Sequence, residues 1–126
     1  MSENEMVVKA FIEAINEHDI ETIAKQLSDD VKVVYSNLRV LNKEEYLNDF
    51  VHEFEALDSK LRIDTIISKG NIVALEWYWW GVHRKDYHGR PARGKTLEAP
   101  GVFLFELKDN KIKLIKYYWT PSLVFD

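Results

Sequence analysis

Apolar residues follow a helical period up to Asp58 and a period of two beyond it. Val7, Ala10, Phe11, Ala14 and Ile15 form the first helical stripe, and Ser2 with Glu5 has the spacing of a capping box. Asn16-Glu17-His18-Asp19 breaks this helix. Asp19 suits the N-cap of a short second helix with Ile20, Ile23, Ala24 and Leu27 on one face. Ser28-Asp29-Asp30 ends it. Residues 31–37 then read as a strand, because Val31, Val33 and Tyr35 alternate with Lys32 and Ser36. Asn42 and Glu45 make another capping box, opening a third helix whose Leu47, Phe50, Val51 and Phe54 form a core stripe.

Beyond Asp58, Leu61, Ile63, Thr65 and Ile67 alternate with Arg62, Asp64 and Ser68. Gly70-Asn71 turns the chain into a long strand over 72–83, and a second long strand covers 96–107. Asp109-Asn110 is another turn, and the last strand runs from Lys111 to about Thr120, where Pro121 stops it. Helices first and long strands after predict an α+β fold: a curved antiparallel sheet packed on three N-terminal helices.

The long strands are apolar on both faces. Val73, Leu75, Trp77, Trp79, Gly81 and His83 occupy one side of 72–83. Ile72, Ala74, Glu76, Tyr78, Trp80 and Val82 occupy the other, with a single charge. Leu97, Ala99, Phe103 and Phe105 repeat the pattern against Val102 and Leu104. An antiparallel sheet usually wets one face. The helices are therefore expected to cover one side and a second copy of the chain the other.

Composition narrows the chemistry. The 126 residues contain no cysteine, which excludes disulfides, thiolate metal sites and cysteine nucleophiles. Aromatic residues make up 13%, enough to suggest a lined pocket, an interface, or both. No apolar run approaches the ~20 residues needed to span a bilayer. The start, Met1-Ser2-Glu3-Asn4-Glu5, is acidic, unlike a signal peptide, so a cytoplasmic location is expected. The net charge of −4 disfavours nucleic acid as a partner. That charge is unevenly placed. Arg84, Lys85, Arg90, Arg93 and Lys95 face only Asp86, so residues 83–95 carry +4 and the rest of the chain −8. Such a run is a solvated loop, or it attracts an anionic ligand or an acidic partner.

Among polar candidates, His83 ends the strand face that bears Trp77 and Trp79, and imidazole can act as acid, base or donor. Tyr35 and Asn37 share a strand face and could orient a ligand. Trp77 and Trp79 serve as core or as a ligand platform, and Tyr117, Tyr118 and Trp119 divide between pocket and surface. His18, His52, His83 and His88 have no metal-ligand spacing, so no metal is expected. Gly89 to Thr96 formally matches a phosphate loop. However, Thr96 opens a strand with Pro100 and Gly101, not the helix whose N-terminus would face phosphates.

Three segments carry a family resemblance. They are 11–30 (FIEAINEHDIETIAKQLSDD), 69–74 (KGNIVA) and 81–95 (GVHRKDYHGRPARGK), the last fitting G-x-H-x-x-acid-aromatic-x-G-x-P-x-x-G-K. With Lys111-Ile112 they resemble the SnoaL-like branch of the nuclear-transport-factor-2-like superfamily, over nearly the whole chain and as one domain, 1–126. The resemblance implies a cone-shaped curved sheet around an apolar pocket, and a homodimer through the convex sheet face. In ketosteroid isomerases of this superfamily, a first-helix tyrosine and a strand acid bind the oxyanion, and an acid on the first strand moves the proton. Those positions correspond here to Phe11, Gly101 and Tyr35. The aspartate that serves SnoaL-type cyclases corresponds to Thr120. One polar residue of the pattern is kept, His83.

The expected function is therefore binding of a small apolar or aromatic organic molecule, with the family's acid/base carboxylates absent. Tyr35, Asn37, Trp77, Trp79, Phe103, Tyr118 and Thr120 are the expected ligand contacts. One alternative is an isomerase, cyclase or lyase acting on a carbonyl substrate through His83, with Tyr35 or Asn37 polarising the oxygen. Another is a structural dimer or partner-binding module. No cofactor, metal, nucleic acid or membrane is expected to take part.

Overall fold

The computed structural model describes residues 2–120. Its helices are α1 (Glu3–Asn16), α2 (Ile20–Gln26) and α3 (Lys43–Leu57). The strands are β1 (Leu27–Val34), β2 (Val40–Leu41), β3 (Lys60–Lys69), β4 (Ile72–Val82), β5 (Thr96–Lys108) and β6 (Lys111–Tyr118). The three helices pack on one curved sheet of order β2-β1-β6-β5-β4-β3, which does not close into a barrel. Pro121, expected to end the last strand, lies outside the described residues.

The helix starts follow the sequence. Ser2 Oγ accepts from the Glu5 N–H at 3.1 Å, and Asp19 Oδ1 from the Thr22 N–H at 3.1 Å. Both arms of the Asn42–Glu45 capping box form, each at 2.9 Å. Such caps satisfy amides that have no partner within the helix.

The sheet departs from the expected pattern in three ways. It is mixed, not wholly antiparallel, because β1 runs parallel to β6. Their connection carries α3 and the other strands, as a parallel crossover requires, whereas β3 to β6 are joined in hairpin fashion. Leu27 already has extended angles, so β1 begins there and not at Val31; an irregular register between Leu27 and Lys32 absorbs Ser28-Asp29-Asp30. A bulge between Ile63 and Thr65 reverses the phase of β3. Ile66 consequently packs on the core, while Ile67, expected on the inner face with Leu61 and Ile63, is 64% exposed.

The inner face of β4 is buried as its alternation predicts, with Val73, Leu75, Trp77 and Trp79 all in the core. Phe11 is the hub between layers. Its ring meets Phe105 edge-on at 5.8 Å and Phe50 at 6.3 Å. Two glycines set close approaches. A Cβ at Gly81 would lie 2.6 Å from the Leu57 carbonyl oxygen, so only glycine lets β4 press on the end of α3. A Cβ at Gly101 would lie 2.3 Å from the Trp77 indole, which crosses directly over it.

The third helix is turned relative to expectation. Tyr46, Phe50, Ala56 and Leu57 are buried, whereas Val51 is 40% exposed and Leu47 and Phe54 only half-buried. The inward line of α3 is therefore 46–50–53–57, which includes Glu53.

Candidate functional site

A cavity of about 580 Å³ opens between α3, the loop after β1, the end of β6 and the β4–β5 loop. Five exposed residues, Ser36, Asn37, Arg39, His88 and Thr120, mark its mouth, and Glu53, Tyr117 and Trp119 line its depth. A much smaller void of about 30 Å³ lies behind them, bounded by Trp77, Trp79 and Phe103. Glu53, Tyr117 and Trp119 line both spaces. The Trp119 ring stands edge-on to Trp77 at 5.8 Å and to Trp79 at 5.9 Å, forming part of the partition.

Glu53 is the unusual group here. Ser59 Oγ donates to its Oε2 at 2.6 Å. Burial disfavours its anion and nearby Asp49 adds repulsion, outweighing the Ser59 hydrogen bond, so its pKa is pushed up from 4.5 to about 7. A carboxyl of that kind exists in both protonation states near neutrality and can accept and return a proton. One helical turn earlier, Asp49 Oδ2 lies 3.7 Å from Arg39 Nη1.

Tyrosines surround this acid. Tyr46 and Tyr117 share a hydrogen bond at 2.6 Å, and the Tyr35 ring lies 4.5 Å from that of Tyr117. Burial, first of all, drives the phenols of Tyr35, Tyr46, Tyr87 and Tyr117 well above their usual range. They therefore act as neutral hydrogen-bonding groups, never as phenolates near pH 7. Trp77 adds a buried indole Nε1–H with no hydrogen-bond acceptor among the described residues, on a side chain that lines the inner void.

Part of the basic loop reaches the cavity, while Arg84, Lys85, Arg93 and Lys95 stay exposed to solvent. Tyr87 and Arg90 exchange both backbone hydrogen bonds at 3.0 Å around His88 and Gly89, whose φ values are 48° and 76°. This two-residue reversal with positive φ directs Tyr87, His88 and Arg90 to the cavity lining. Arg84 ties the loop to the end of α3: its N–H donates to the Ala56 carbonyl at 2.7 Å and its Nη2 to Asp58 at 2.8 Å.

The residues expected from sequence divide sharply. Tyr35, Asn37 and Thr120 line the main cavity. Trp77, Trp79 and Phe103 bound the inner void instead. Tyr118 does not reach either space; it is 52% exposed on the outer sheet face, and its neighbour Tyr117 takes the inward position. His83 stays on the inward face, 2% exposed, but lines neither space; its backbone N–H and C=O pair with Lys95 and Gly94. Phe11 is wholly buried core, and the Gly101 position is occupied by the Trp77 indole. Carboxylates are thus missing at the family positions yet present in the cavity, supplied by α3. Their signal was in the sequence: Asp49 and Glu53 fall in helical step with Tyr46, Phe50 and Leu57.

Among the described residues, no helix is long and apolar enough to cross a membrane, and no three acids or histidines are grouped to hold a metal ion.

Three helices packed on an unclosed curved mixed sheet, with a cavity between them, define an α+β architecture. The chain belongs to the SnoaL-like domain family, whose model matches residues 8–115. It is similar to a candidate polyketide cyclase from Xanthomonas campestris pv. campestris, with 21% identity, 96% and 93% of the two chains covered and a TM-score of 0.88. A candidate SnoaL-like polyketide cyclase from Jannaschia sp. CCS1 gives 15% identity, coverage of 96% and 88%, and a TM-score of 0.87. An LEH-like epoxide hydrolase from M. tuberculosis gives 17%, 95% and 84%, and 0.80. At these identities the likeness establishes the fold. No curated protein matches the sequence.

Proposed function

We propose that the cavity binds a small, largely apolar organic molecule bearing a carbonyl or hydroxyl group, and that Glu53 moves a proton on it. The placement of Glu53 carries this reading: a carboxyl poised near pH 7 lies where the main cavity meets the inner void. As an anion it removes a proton beside the carbonyl, and as an acid it returns one. Oxygen charge developing in that step needs donors that stay protonated, and the Tyr35 and Tyr117 phenols meet this requirement. The Trp77 indole N–H offers another donor at the inner end. Isomerisation, cyclisation and elimination all use this step, and relatives of the fold include candidate cyclases and an epoxide hydrolase.

A neutral probe tests the base. 5-Nitrobenzisoxazole opens to a coloured nitrophenolate when a carboxylate in an apolar site removes its ring proton. The expected result is a saturable rate that rises as pH passes about 7, with Glu53→Gln lowering it at least about tenfold. A Glu53→Gln protein as fast as wild type would remove Glu53 from the reaction.

The outward sheet face supports a homodimer alongside this reading. Trp80, Val102 and Tyr118 stand 38%, 37% and 52% exposed on β4, β5 and β6, and Val102 is in register with Tyr118. These side chains stand beside the exposed Glu98 and Glu76, and a second copy is expected to cover them.

A further inference from the structure

We infer that Ser59 is a positioning residue for Glu53: its hydroxyl holds Oε2, so that Oε1 exchanges the proton with the substrate, and the break between α1 and α2 holds Ser59 in place. This deepens the proton-transfer reading of Glu53 and rests on it.

The end of α3 brings serine and acid together. Asp58, the cap of that helix, has a φ of 47°, a left-handed conformation that turns the chain back. Ser59 follows it, wholly buried, and its Oγ donates to Glu53 Oε2 at 2.6 Å. Among the described residues this is the one hydrogen bond to the Glu53 carboxyl. A hydroxyl donating to Oε2 favours the proton of the neutral acid on Oε1, because two hydrogens would otherwise meet at one oxygen. Glu53 lines both the main cavity and the inner void, so Oε1 is the oxygen left to meet a ligand there.

Ser59 is itself clamped from the far side. His18 Nε2 donates to the Ser59 carbonyl at 3.0 Å, and the His18 ring stacks on Phe54, the neighbour of Glu53, at 4.2 Å and 13°. Asn16 pairs with both backbone groups of Leu61: its Oδ1 accepts from the N–H at 2.6 Å and its Nδ2 donates to the carbonyl at 2.8 Å. Between them, Lys60 Nζ donates to the Asn16 carbonyl at 2.5 Å. The break that ends α1 thus also grips residues 59–61. A hydroxyl on a fixed backbone holds the carboxyl in one orientation, which a hydroxyl on a loose segment would not.

Other groups face Glu53 without bonding to it. Asp49 shares α3, Arg39 comes from the loop after β1, and His88 and Arg90 come from the β4–β5 loop. The neutral phenols of Tyr35, Tyr87 and Tyr117 complete that set. On the Ser59 side stand His18, Asp58 and Arg84. Ser59 favours the Glu53 anion, whereas burial and Asp49 favour the neutral acid. Removing the hydroxyl therefore moves the Glu53 titration to higher pH. Loosening the site and admitting water would move it the other way, so the sign separates positioning from mere structural support.

Carbon-13 NMR of protein labelled at its glutamate carboxyls reads this directly, the Glu53 signal being the one missing from Glu53→Gln. Ser59→Ala is expected to raise the Glu53 midpoint by about one pH unit. His18→Ala should move it the same way, while His18→Gln, uncharged as alanine is but still a donor, should hold it. With the nitrobenzisoxazole probe, the midpoint of the pH–rate profile should follow that of the carboxyl in each variant. An unchanged or lowered midpoint in Ser59→Ala overturns the inference. Should that variant not fold, Ser59→Cys, similar in shape but a weak donor, decides by the same criterion. A midpoint raised in Ser59→Ala but not in His18→Ala overturns the part given to the α1–α2 break. The NMR titration needs no turnover, so failure of Glu53 to react with the probe is seen apart from failure of Ser59 to hold it.

Discussion

Glu53 is a carboxyl whose environment opposes its own ionisation, and this has a consequence for stability. Below about pH 4.5 the folded and unfolded chains both hold its proton, and the group contributes no difference. Above that, the unfolded chain ionises while the folded protein keeps the proton. Stability is therefore lost as pH rises from 4.5 to about 7 and levels off beyond it. Glu53→Gln removes the penalty and still offers an oxygen to Ser59. The variant is expected to match wild type at pH 4 and exceed it by about 1–2 kcal/mol at pH 8, an amount reduced from the full shift because the group faces an open cavity. Thermal unfolding across that range checks the sign; a variant less stable than wild type at pH 8 would contradict the burial account. Tyr35, by contrast, lies just past the end of β1, so the strand face it was expected to share with Asn37 does not exist; both reach the cavity from the turn that follows the strand.

Between elements, the pairing of β4 with β5 decides what the pocket contains. Trp77 lies opposite Gly101, and its indole fills the space that a side chain at 101 would need. The strand position that resemblance assigns to an oxyanion-binding acid is thus closed by a ring from the neighbouring strand. Gly101→Ala is expected to cost about 1–3 kcal/mol through overpacking. In a Trp77→Leu background the added methyl meets no ring, and the double variant should be more stable than the summed single effects by about 1–2 kcal/mol. Denaturant titration of the four proteins measures this coupling, and strict additivity would argue against the contact. The same scale explains the misplaced stripe of α3. Leu47, Val51 and Phe54 are the more apolar choice by composition, but Tyr46 is held inward by Tyr117 and Phe50 by Phe11, which turns Glu53 to the cavity. The bulge in β3 acts likewise, since one inserted residue exchanges the faces of every residue after it.

At the scale of the whole molecule, the sheet has an apolar inner surface and a mixed outer one, where exposed aromatic and aliphatic side chains stand beside Glu76 and Glu98. The inner one packs on the helices and frames the cavity; the outer one presents Trp80, Val102 and Tyr118. If a second copy covers that surface, Trp80→Glu with Val102→Glu places charge in the interface and shifts a dimer to monomer, with the fold intact. Sedimentation velocity together with circular dichroism checks this, and a wild-type protein that is monomeric at tens of micromolar or above would dispose of the dimer. The +4 loop also gains its meaning only at this scale. In sequence it is a run of charge between two strands; in space one reversal of it, Tyr87 to Arg90, joins the lining of a cavity whose inner wall lies on β6 and α3, and its other cations stay exposed.

Local signals were enough for the helix caps, the hairpin turns, the buried face of β4 and the order of helices before strands. Each depends on contacts within a few residues or on a simple period, and both are written in the chain. The parallel pairing of β1 with β6, the turn of α3 and the gathering of Arg39, Asp49, Glu53, Tyr87 and Tyr117 around one cavity depend on which distant segments meet. A period records that a residue faces inward. Whether the inside at that point is packed core, as for Phe11, or open space, as for Glu53, depends on how completely the opposing elements fill it. That is why the tertiary structure alone moved the candidate chemistry from His83 on β4's extension to a carboxyl on the third helix.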